Sequence, residues 1–568
     1  MFGGPSGKLP TSVQPHNFSQ VPASHLPRSA FDRSHPFKMT CQASQIVPIF
    51  VDEVLPGDTF SLNSTIFARL ATPIVPAMDN LEVTTQFFFV PNRLVWDNWE
   101  KFCGAQDNPG DSISYTIPQI GPAASFAVMT LPDYMGLAPG FNYGGTAGYL
   151  SALPFRAYNR IWNEWYRDEN LQNSLTLSVD DGPDPLTDYV LQLRGQKKDY
   201  FYGALTTAQK GSAVPFLTGT ARVYGPAVTE TTGSTAFQMW NNTDAARQIG
   251  GIEKQAATLL PAFQAGWTGL ANTDTASKFG LGTSADYTTL GAGYTAPYAD
   301  LSTNATDVIN TLRLAFQTQK FLERDARGGT RYTELNLSHF GVTNPDARLQ
   351  RTEYLGGGMA DLNITPIPQT APANAAVATT RIGDLYGFGT SLSNRNGFTK
   401  SFTEHGHILG FINIRVKNQT YQQGYNKLWA RQTRYDFYWP VFANLGEQTV
   451  LRKEIYYVGD KATTNLDDTV WGYQERWAEY RHKPGLVAGI FRSAAASTLD
   501  YWHFAQNYAS APSLNSTWIP DQSVNVIDRN LNVTHSATVA QFKVDIWHTL
   551  HCARVMPVNS VPGNIDRF

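Results

Sequence analysis

The sequence of 568 residues predicts a mainly β protein, an antiparallel sandwich whose strands are joined by very long loops. Apolar and polar residues alternate in stretches near 60–68, 81–89, 412–416 and 542–550, as in strands that bury one face. Some three hundred residues without this pattern separate the second stretch from the third. A jelly roll tolerates such insertions, because the entropic cost of closing a surface loop grows slowly with its length.

The residues on the predicted buried faces are mostly large and apolar. They are Phe60, Leu62, Ile66 and Ala68; Leu81, Val83, Phe87 and Phe89; Ile412, Ile414 and Val416; and Phe542, Val544, Ile546 and Leu550.

The composition favours a protein that buries much apolar surface against partners. Charged residues make up 16% of the chain and aromatic residues 12%, whereas an average soluble domain has about 25% charged residues. The formal net charge of −3 argues against a protein that neutralises a nucleic acid alone. The three cysteines are too few and too scattered for a disulfide framework. The sequence contains no run of about 18 apolar residues, so no membrane-spanning helix is predicted.

Two helices are expected inside the long insertion. Tyr158, Ile161, Trp162 and Trp165 form a helical stripe, with an Arg160–Glu164 pair four residues apart. A second helix is predicted from about 307 to just before the glycine pair at 328–329. Its residues Ile309, Leu312 and Phe316 are expected to face inward.

The segment 204–300 has a different character. It holds only 11 charged residues in 97 and is dominated by Ala, Thr, Gly and Ser, which predicts a projecting loop region with little core of its own. Its isolated aromatic residues include Trp240, Trp267, Tyr287 and Tyr294.

Motifs for catalysis are absent: the sequence has no Gly-x-Ser-x-Gly elbow, no phosphate-binding loop and no His-Glu-x-x-His pair. Asp180, Asp181 and Asp184 share one tight turn that could hold a hard cation such as Ca²⁺. A solvated turn is the favoured interpretation, because the full calcium-loop pattern and its closing glutamate are absent. His548 and His551 lie on opposite faces of a predicted strand, so they do not converge on one metal ion. No cofactor is predicted.

Two groups of cations are candidates for contact with single-stranded DNA. Arg431 and Arg434 lie in an aromatic stretch, 431–439, where bases could stack; a subunit interface or a core is the favoured interpretation of the same residues. Arg28, Arg33 and Lys38 belong to an extended N-terminal arm. An arm that lies in solvent or on a neighbouring chain is the favoured interpretation, and an arm that faces a nucleic acid is the alternative.

Several separated blocks resemble the major capsid proteins of gokushoviruses, a group of small single-stranded DNA bacteriophages of the Microviridae. The resemblance covers roughly 25–200 and 305–568 and fades in 204–300. Its blocks are 31–35, 52–60, 87–102 (FFFVPNRLVWDNWEKF), 157–165, 322–334, 345–350, 421–424, 433–440, 473–476 and 557–566.

The resemblance implies an eight-stranded viral jelly roll and a structural role without enzymatic activity. It implies a T=1 icosahedral shell of identical copies around a circular single-stranded DNA genome, a small basic DNA-binding viral protein, a scaffolding protein during assembly and a host surface receptor. It places the protein in the virion, assembled in the cytoplasm of a bacterial host without membrane contact. The expected parts are an arm at 1–44, first strands at 45–103, insertions at 104–404 with 204–300 as the threefold protrusion, and remaining strands with a C-terminal arm at 405–568.

A second hypothesis is a carbohydrate-binding or carbohydrate-hydrolysing β-sandwich protein. Exposed aromatic side chains stack on sugars, and Asp180 and Asp184 could serve as acid and base. Against it, both acids lie in one turn with no sign of a cleft around them.

Overall fold

The computed structural model divides into two units, one formed by Met1–Lys210 with Glu323–Phe568 and the other by Gly211–Leu322. The structure describes residues 28–112, 114–121, 125–141, 143, 150–211, 223–224, 239–240, 248–249, 298–299, 308–329, 331–343, 345–346, 349–370, 382–459 and 466–559. In the second unit, two short antiparallel ladders pair Val223–Tyr224 with Tyr298–Ala299 and Met239–Trp240 with Gln248–Ile249.

Strands dominate the described residues. They are β1 (Ser29–Asp32), β2 (His35–Cys41), β3 (Val47–Val54), β4 (Thr59–Leu70), β5 (Leu81–Pro91), β6 (Val223–Tyr224), β7 (Met239–Trp240), β8 (Gln248–Ile249), β9 (Tyr298–Ala299), β10 (Glu353–Pro368), β11 (Leu385–Ser401), β12 (Gly406–Val416), β13 (Glu447–Leu451), β14 (Val470–Glu475) and β15 (Phe542–Arg554).

Helices are mostly short. They are α1 (Trp99–Phe102), α2 (Leu131–Tyr134), α3 (Leu153–Ile161), α4 (Val308–Gly328), α5 (Tyr332–Phe340), α6 (Arg452–Ile455), α7 (Ala478–Arg481) and α8 (Ser523–Asp528). Within the described residues, no helix combines the length and hydropathy that crossing a membrane requires.

Nine strands of the first unit form one curled antiparallel sheet in the order β1–β15–β4–β11–β10–β5–β12–β3, with β2 also paired to β15. Strand β10 connects its two halves, since Glu353 to Leu362 pair with β5 and Asn363 to Pro368 pair with β11. Strands β1 and β2 pair with successive stretches of β15, so the sheet is eight strands wide. The predicted mainly β jelly-roll sandwich with helical insertions is confirmed.

The two halves of the sheet enclose one hydrophobic core. All the residues expected on the buried faces of β4, β5, β12 and β15 are buried there, which confirms the strand predictions. Aromatic contacts join the layers: the ring of Phe87 on β5 lies 5.7 Å from that of Phe398 on β11. On β3, the Phe50 ring lies 5.5 Å from that of His548 on β15.

A second core covers the outer face of β5 and β12. Phe88 and Phe411 point away from the sandwich interior and pack with Tyr158 of α3. The helix α3 continues as a π-helical turn over Trp162–Tyr166, and the predicted pair of Arg160 with Glu164 is present at 2.9 Å. Strand β12 is therefore buried on both faces, whereas β4 alternates between buried and exposed residues.

The structure differs from the sequence interpretation at two places. Strands β10 and β11 lie inside the stretch read as patternless. In β10 only Leu362 is buried, and in β11 most residues are Gly, Ser, Asn or Thr and even buried positions such as Ser391 and Asn396 are polar. Helix α4 has the predicted bounds, but Phe316 is 60% exposed, so the expectation that it faces inward is wrong.

A buried histidine connects strands of the two layers. His548 is fully buried, accepts the Ser64 hydroxyl hydrogen at 2.8 Å through Nδ1, and donates from Nε2 to the Ile49 carbonyl at 3.0 Å. Burial, reinforced by nearby His35, lowers the pKa of His548 to about 4. As expected, His551 on the same strand lies on the opposite, exposed face.

We expect this histidine to make the fold acid-labile. The unfolded chain takes up the proton near pH 6.5 whereas the folded chain resists it down to about pH 4. The contribution of neutral His548 to the free energy of unfolding is therefore complete above pH 6.5. It is lost as the pH falls from 6.5 to about 4, which lowers the free energy of unfolding by roughly 3 kcal/mol. Denaturant unfolding of wild type and of His548→Gln between pH 7.5 and 4 should show a shallower decline in the variant.

The matched control is His551→Gln, which removes an exposed histidine from the same strand and leaves His548 in place, so the decline in stability that His548 causes should persist in it. Part of the decline should persist in His548→Gln, because burial also lowers the pKa of His407 to about 4. An identical pH dependence of the free energy of unfolding in wild type and His548→Gln would contradict the lowered pKa of His548.

Candidate assembly surface

In the turn that contains Asp180, Asp181 and Asp184, the carboxylates are bound by other side chains of the protein. Arg156, whose side chain is 1% exposed, donates from Nε and Nη2 to the two carboxylate oxygens of Asp184, each at 2.7 Å. The Tyr189 hydroxyl donates to the same carboxylate, and Asp180 accepts from Arg156 at 3.1 Å. Asp184 is thus a buried structural acid and not part of a solvated turn.

The third acid of the turn is held by different donors. The Asp181 carboxylate accepts the side-chain amide of Asn98 at 2.9 Å and the indole N–H of Trp96 at 2.7 Å. These two hydrogen bonds lower the pKa of Asp181. Among the described residues, no three His, Cys, Asp or Glu side chains lie close enough together to bind a metal ion.

The cations of the predicted arm lie on or next to strands at the edge of the sheet. Arg33 pairs with both oxygens of Asp52 at 2.6 and 3.1 Å, and Lys38 on β2 lies 3.6 Å from Asp545 on β15. Arg28 donates to the Gly57 carbonyl and, at 2.9 Å, to the Thr59 hydroxyl. The charges of Arg33 and Lys38 are therefore largely balanced within the chain.

Of the predicted protrusion residues, Trp267, Tyr287 and Tyr294 lie outside the described residues. Trp240 lies in β7, and its side chain is also outside them.

The stretch around Arg431 and Arg434 belongs to a loop that exposes many aromatic side chains. We define the aromatic surface as Trp429, Phe437, Tyr438, Trp439, Val441 and Tyr480. Each of the six is between 46% and 88% exposed. The stretch is therefore an exposed surface and not part of the core.

Although exposed, the loop has a fixed conformation. It is built from three short 3₁₀ turns, Lys427–Ala430, Arg434–Asp436 and Pro440–Phe442. The Asp436 carboxylate accepts the backbone N–H groups of Thr433 and Gln432 at 2.7 and 3.0 Å, and these bonds lower the pKa of Asp436. The Trp439 indole donates to the Arg434 carbonyl at 2.9 Å.

Arg431 links the loop to α7. Its guanidinium lies 4.3 Å from the centre of the Tyr480 ring and 5.3 Å from that of Phe437, and pairs with Glu479 at 3.4 Å. The Arg431 side chain is only 11% exposed, so it is poorly placed to reach a phosphate. The more exposed Arg434 lies 4.8 Å over the ring of Tyr435.

Sequence reasoning found the centre of this surface but missed its extent. Trp429 and Val441, the most exposed members at 78% and 88%, lie just outside 431–439, and Tyr480 comes from a different element. An apolar run that continues through three 3₁₀ turns has neither helical nor strand periodicity, so periodicity alone cannot delimit it.

Jelly-roll sheets are common in viral shell subunits, and large insertions with an exposed aromatic surface suit a subunit that packs against its neighbours. The comparison with known proteins agrees: a profile of the family described as "Capsid protein (F protein)" matches residues 19–564. The chain belongs to this capsid protein family.

Relatives similar over almost their whole length are capsid proteins VP1 of three phages. The chain is 42% identical to that of Bdellovibrio phage phiMH2K over 99% of this chain and 100% of the relative. It is 40% identical to that of Chlamydia phage 1 over 98% of both chains, and 36% identical to that of Spiroplasma virus 4 over 96% and 97%. The resemblance to microvirus capsid proteins is confirmed, the protein is a structural component of a virion, and the carbohydrate hypothesis is set aside.

We expect the buried Arg156–Asp184 pair to be essential for stability. Arg156→Ala leaves the Asp184 carboxylate buried without its cation, which should lower the free energy of unfolding by about 3–5 kcal/mol. Denaturant unfolding at neutral pH measures this loss.

The control is Lys198→Ala. It removes a surface pair with Asp168 at 3.4 Å whose lysine is 72% exposed, and it should change the free energy of unfolding by no more than about 1 kcal/mol. Equal stability of Arg156→Ala and wild type, or rescue of the variant by added Ca²⁺, would contradict the structural role of the turn.

Proposed function

We propose that the chain is the major capsid protein of a gokushovirus and self-assembles into a T=1 icosahedral shell around circular single-stranded DNA. Two findings support this: the capsid family match over nearly the whole chain and the aromatic surface. A closed T=1 shell combines isologous contacts at its twofold axes with head-to-tail contacts around its threefold and fivefold axes. Both kinds of contact require a patch that is available on the isolated subunit.

The aromatic surface is the patch that docks on a neighbouring copy. Trp, Tyr and Arg carry a large share of the binding energy in protein interfaces, and a contiguous exposed apolar patch on a subunit marks an interaction site. The loop is held by its own hydrogen bonds and by the Arg431 contacts, so little conformational entropy is lost when it docks.

Other partners follow from the charge balance and the resemblance. With 44 basic and 47 acidic residues, the chain does not neutralise a genome alone, so a small basic viral protein supplies most of the compensating charge. Of the five predicted DNA-facing cations, Arg28 and Arg434 are the better placed, because Arg33, Lys38 and Arg431 are each paired with a carboxylate of the subunit. A scaffolding protein assists assembly in the bacterial cytoplasm.

The segment 204–300 forms the threefold protrusion and engages a host surface receptor. The low charge of this segment and its isolated aromatic residues support the proposal, because three copies meeting at an axis bury aromatic side chains that one copy leaves exposed.

Removing the two most exposed members of the aromatic surface should block assembly. Trp429→Ser/Val441→Ser should leave the subunit folded, because these residues are 78% and 88% exposed. A loss of about 2 kcal/mol per contact weakens each contact roughly 30-fold. Electron microscopy and sedimentation should show closed shells for wild type and free subunits for the variant.

The control is Met78→Ser/Val190→Ser, which removes apolar residues that are 73% and 56% exposed outside the aromatic surface. This variant should still form shells. If both double variants assemble as well as wild type, the aromatic surface is not the contact.

Deletion of 215–295 tests the protrusion. Shells lacking this segment should contain DNA but show at least a tenfold lower infectivity and adsorption to host cells, because the receptor-binding part is gone. Normal adsorption by such particles would exclude the protrusion as the attachment site.

A further inference from the structure

The two halves of the sandwich differ in what covers their outer faces. The outer face of β5 and β12 is packed under α3 in the second core. The outer face of β4 and β15 carries exposed side chains at alternate positions. On this open face, Phe67 is 43% exposed and Trp547 is 49% exposed. An open sheet face with spaced aromatic rings resembles the platforms on which single-stranded nucleic acids stack their bases.

Two cations face each other across the same strands. Lys543 on β15 is in register with Arg69 on β4, and both side chains are exposed. Like charges directly opposite each other destabilise a strand pair. Within the described part of the chain, neither cation forms an ion pair with a carboxylate. An anion placed between them removes this repulsion.

A cleft of about 760 Å³ opens beside the cation pair. Apolar side chains on its walls include Met39, Phe67 and Met129, with the cations at the sheet. Its two carboxylates are engaged: Asp545 pairs with Lys38 at 3.6 Å, and Asp133 accepts the backbone N–H of Met129 at 2.7 Å. Of the three cations that line the cleft, Lys38 is thus paired with Asp545, whereas Arg69 and Lys543 are the two without an ion pair in the described part of the chain.

We propose that this face binds a segment of single-stranded DNA, with a phosphate between Arg69 and Lys543 and bases against Phe67 and Trp547. The inference rests on the proposed function, since it locates on the subunit a contact for the enclosed genome. A neighbouring protein surface fits less well, because the unpaired cations require an anion in a repeating backbone and the separate rings suit individual bases. Of the residues involved, only Lys38 stood among the sequence-based candidates.

The test measures binding of a fluorescein-labelled oligodeoxythymidylate to the full-length chain, kept below the concentration at which it assembles. Arg69→Gln/Lys543→Gln should weaken binding at least about tenfold at low salt. It should also reduce the slope of log K against log salt by about 1.4, the value for two lost contacts to a single strand. Phe67→Ser should weaken binding about tenfold with little change of that slope.

The charge-matched control is Lys198→Gln/Lys483→Gln, which removes two exposed cations elsewhere and should leave affinity and slope close to wild type. Photo-crosslinking with an iododeoxyuridine oligonucleotide should label peptides containing Phe67 or Trp547, a readout that needs no variant. Equal losses in both double variants, or crosslinks confined to other peptides, would overturn the inference.

Two further outcomes separate this inference from the proposed function. If wild type forms shells but does not bind the oligonucleotide, the DNA contact is wrong and the shell stands. If Arg69→Gln/Lys543→Gln abolishes shells while oligonucleotide binding is unchanged, the face is a contact between copies and the inference is wrong.

Discussion

Three consecutive phenylalanines on β5 hold the first unit together, because they belong to two different cores. Successive side chains of a strand point to opposite faces, so Phe87 and Phe89 enter the sandwich, where they meet Phe398 and Phe402. Phe88 points the other way and packs against Trp165 and Phe411. The same strand thus fixes the distance between the sheet layers and attaches α3 with its flanking loops.

This arrangement decides which surfaces remain open. The insertion that contains α3 covers β5 and β12, whereas the outer face of β4 and β15 keeps exposed residues such as Phe67 and Trp547. The segment that ends in α2 and the loop at Thr538 line the cleft on this face. There the Tyr134 hydroxyl donates to the Thr40 carbonyl at 2.7 Å and closes one wall of the cleft. The aromatic surface lies on a separate loop, supported by Trp477 and α7. Contacts between copies and contacts with nucleic acid can therefore use different parts of the chain.

The sequence predicted the fold where a strand carries large apolar residues on one face, as β4, β5, β12 and β15 do. It failed at β10, where only Leu362 is buried, and at β11, where the buried positions include Ser391, Ser393 and Asn396. Ser393 and Asn396 hydrogen-bond to each other, and Asn396 donates to the Ser64 carbonyl at 3.2 Å. A hydropathy pattern does not reveal such hydrogen bonds. A strand held between two others by its backbone ladder needs no strong pattern of its own.

Site residues were harder to predict for a related reason. The turn at 180–184 has the composition of an ion-binding loop, but Arg156, 24 residues or more away in the chain, lies against it and supplies the positive charge. The pair of Arg69 and Lys543 escaped notice because its meaning depends on register: the two residues become neighbours only when β15 lies beside β4. In both cases the chemistry of a residue depends on a partner that is distant in the sequence.

A nearly balanced chain can still contact a polyanion, because net charge averages over cations that are already paired. Arg33 with Asp52, Arg156 with Asp184 and Arg431 with Glu479 are each matched inside the subunit and add little to the potential outside. What a phosphate experiences is the local excess at exposed, unmatched cations, since charges farther away than about 10 Å are screened at moderate salt. The total charge of a chain therefore does not measure how strongly its surface attracts a polyanion.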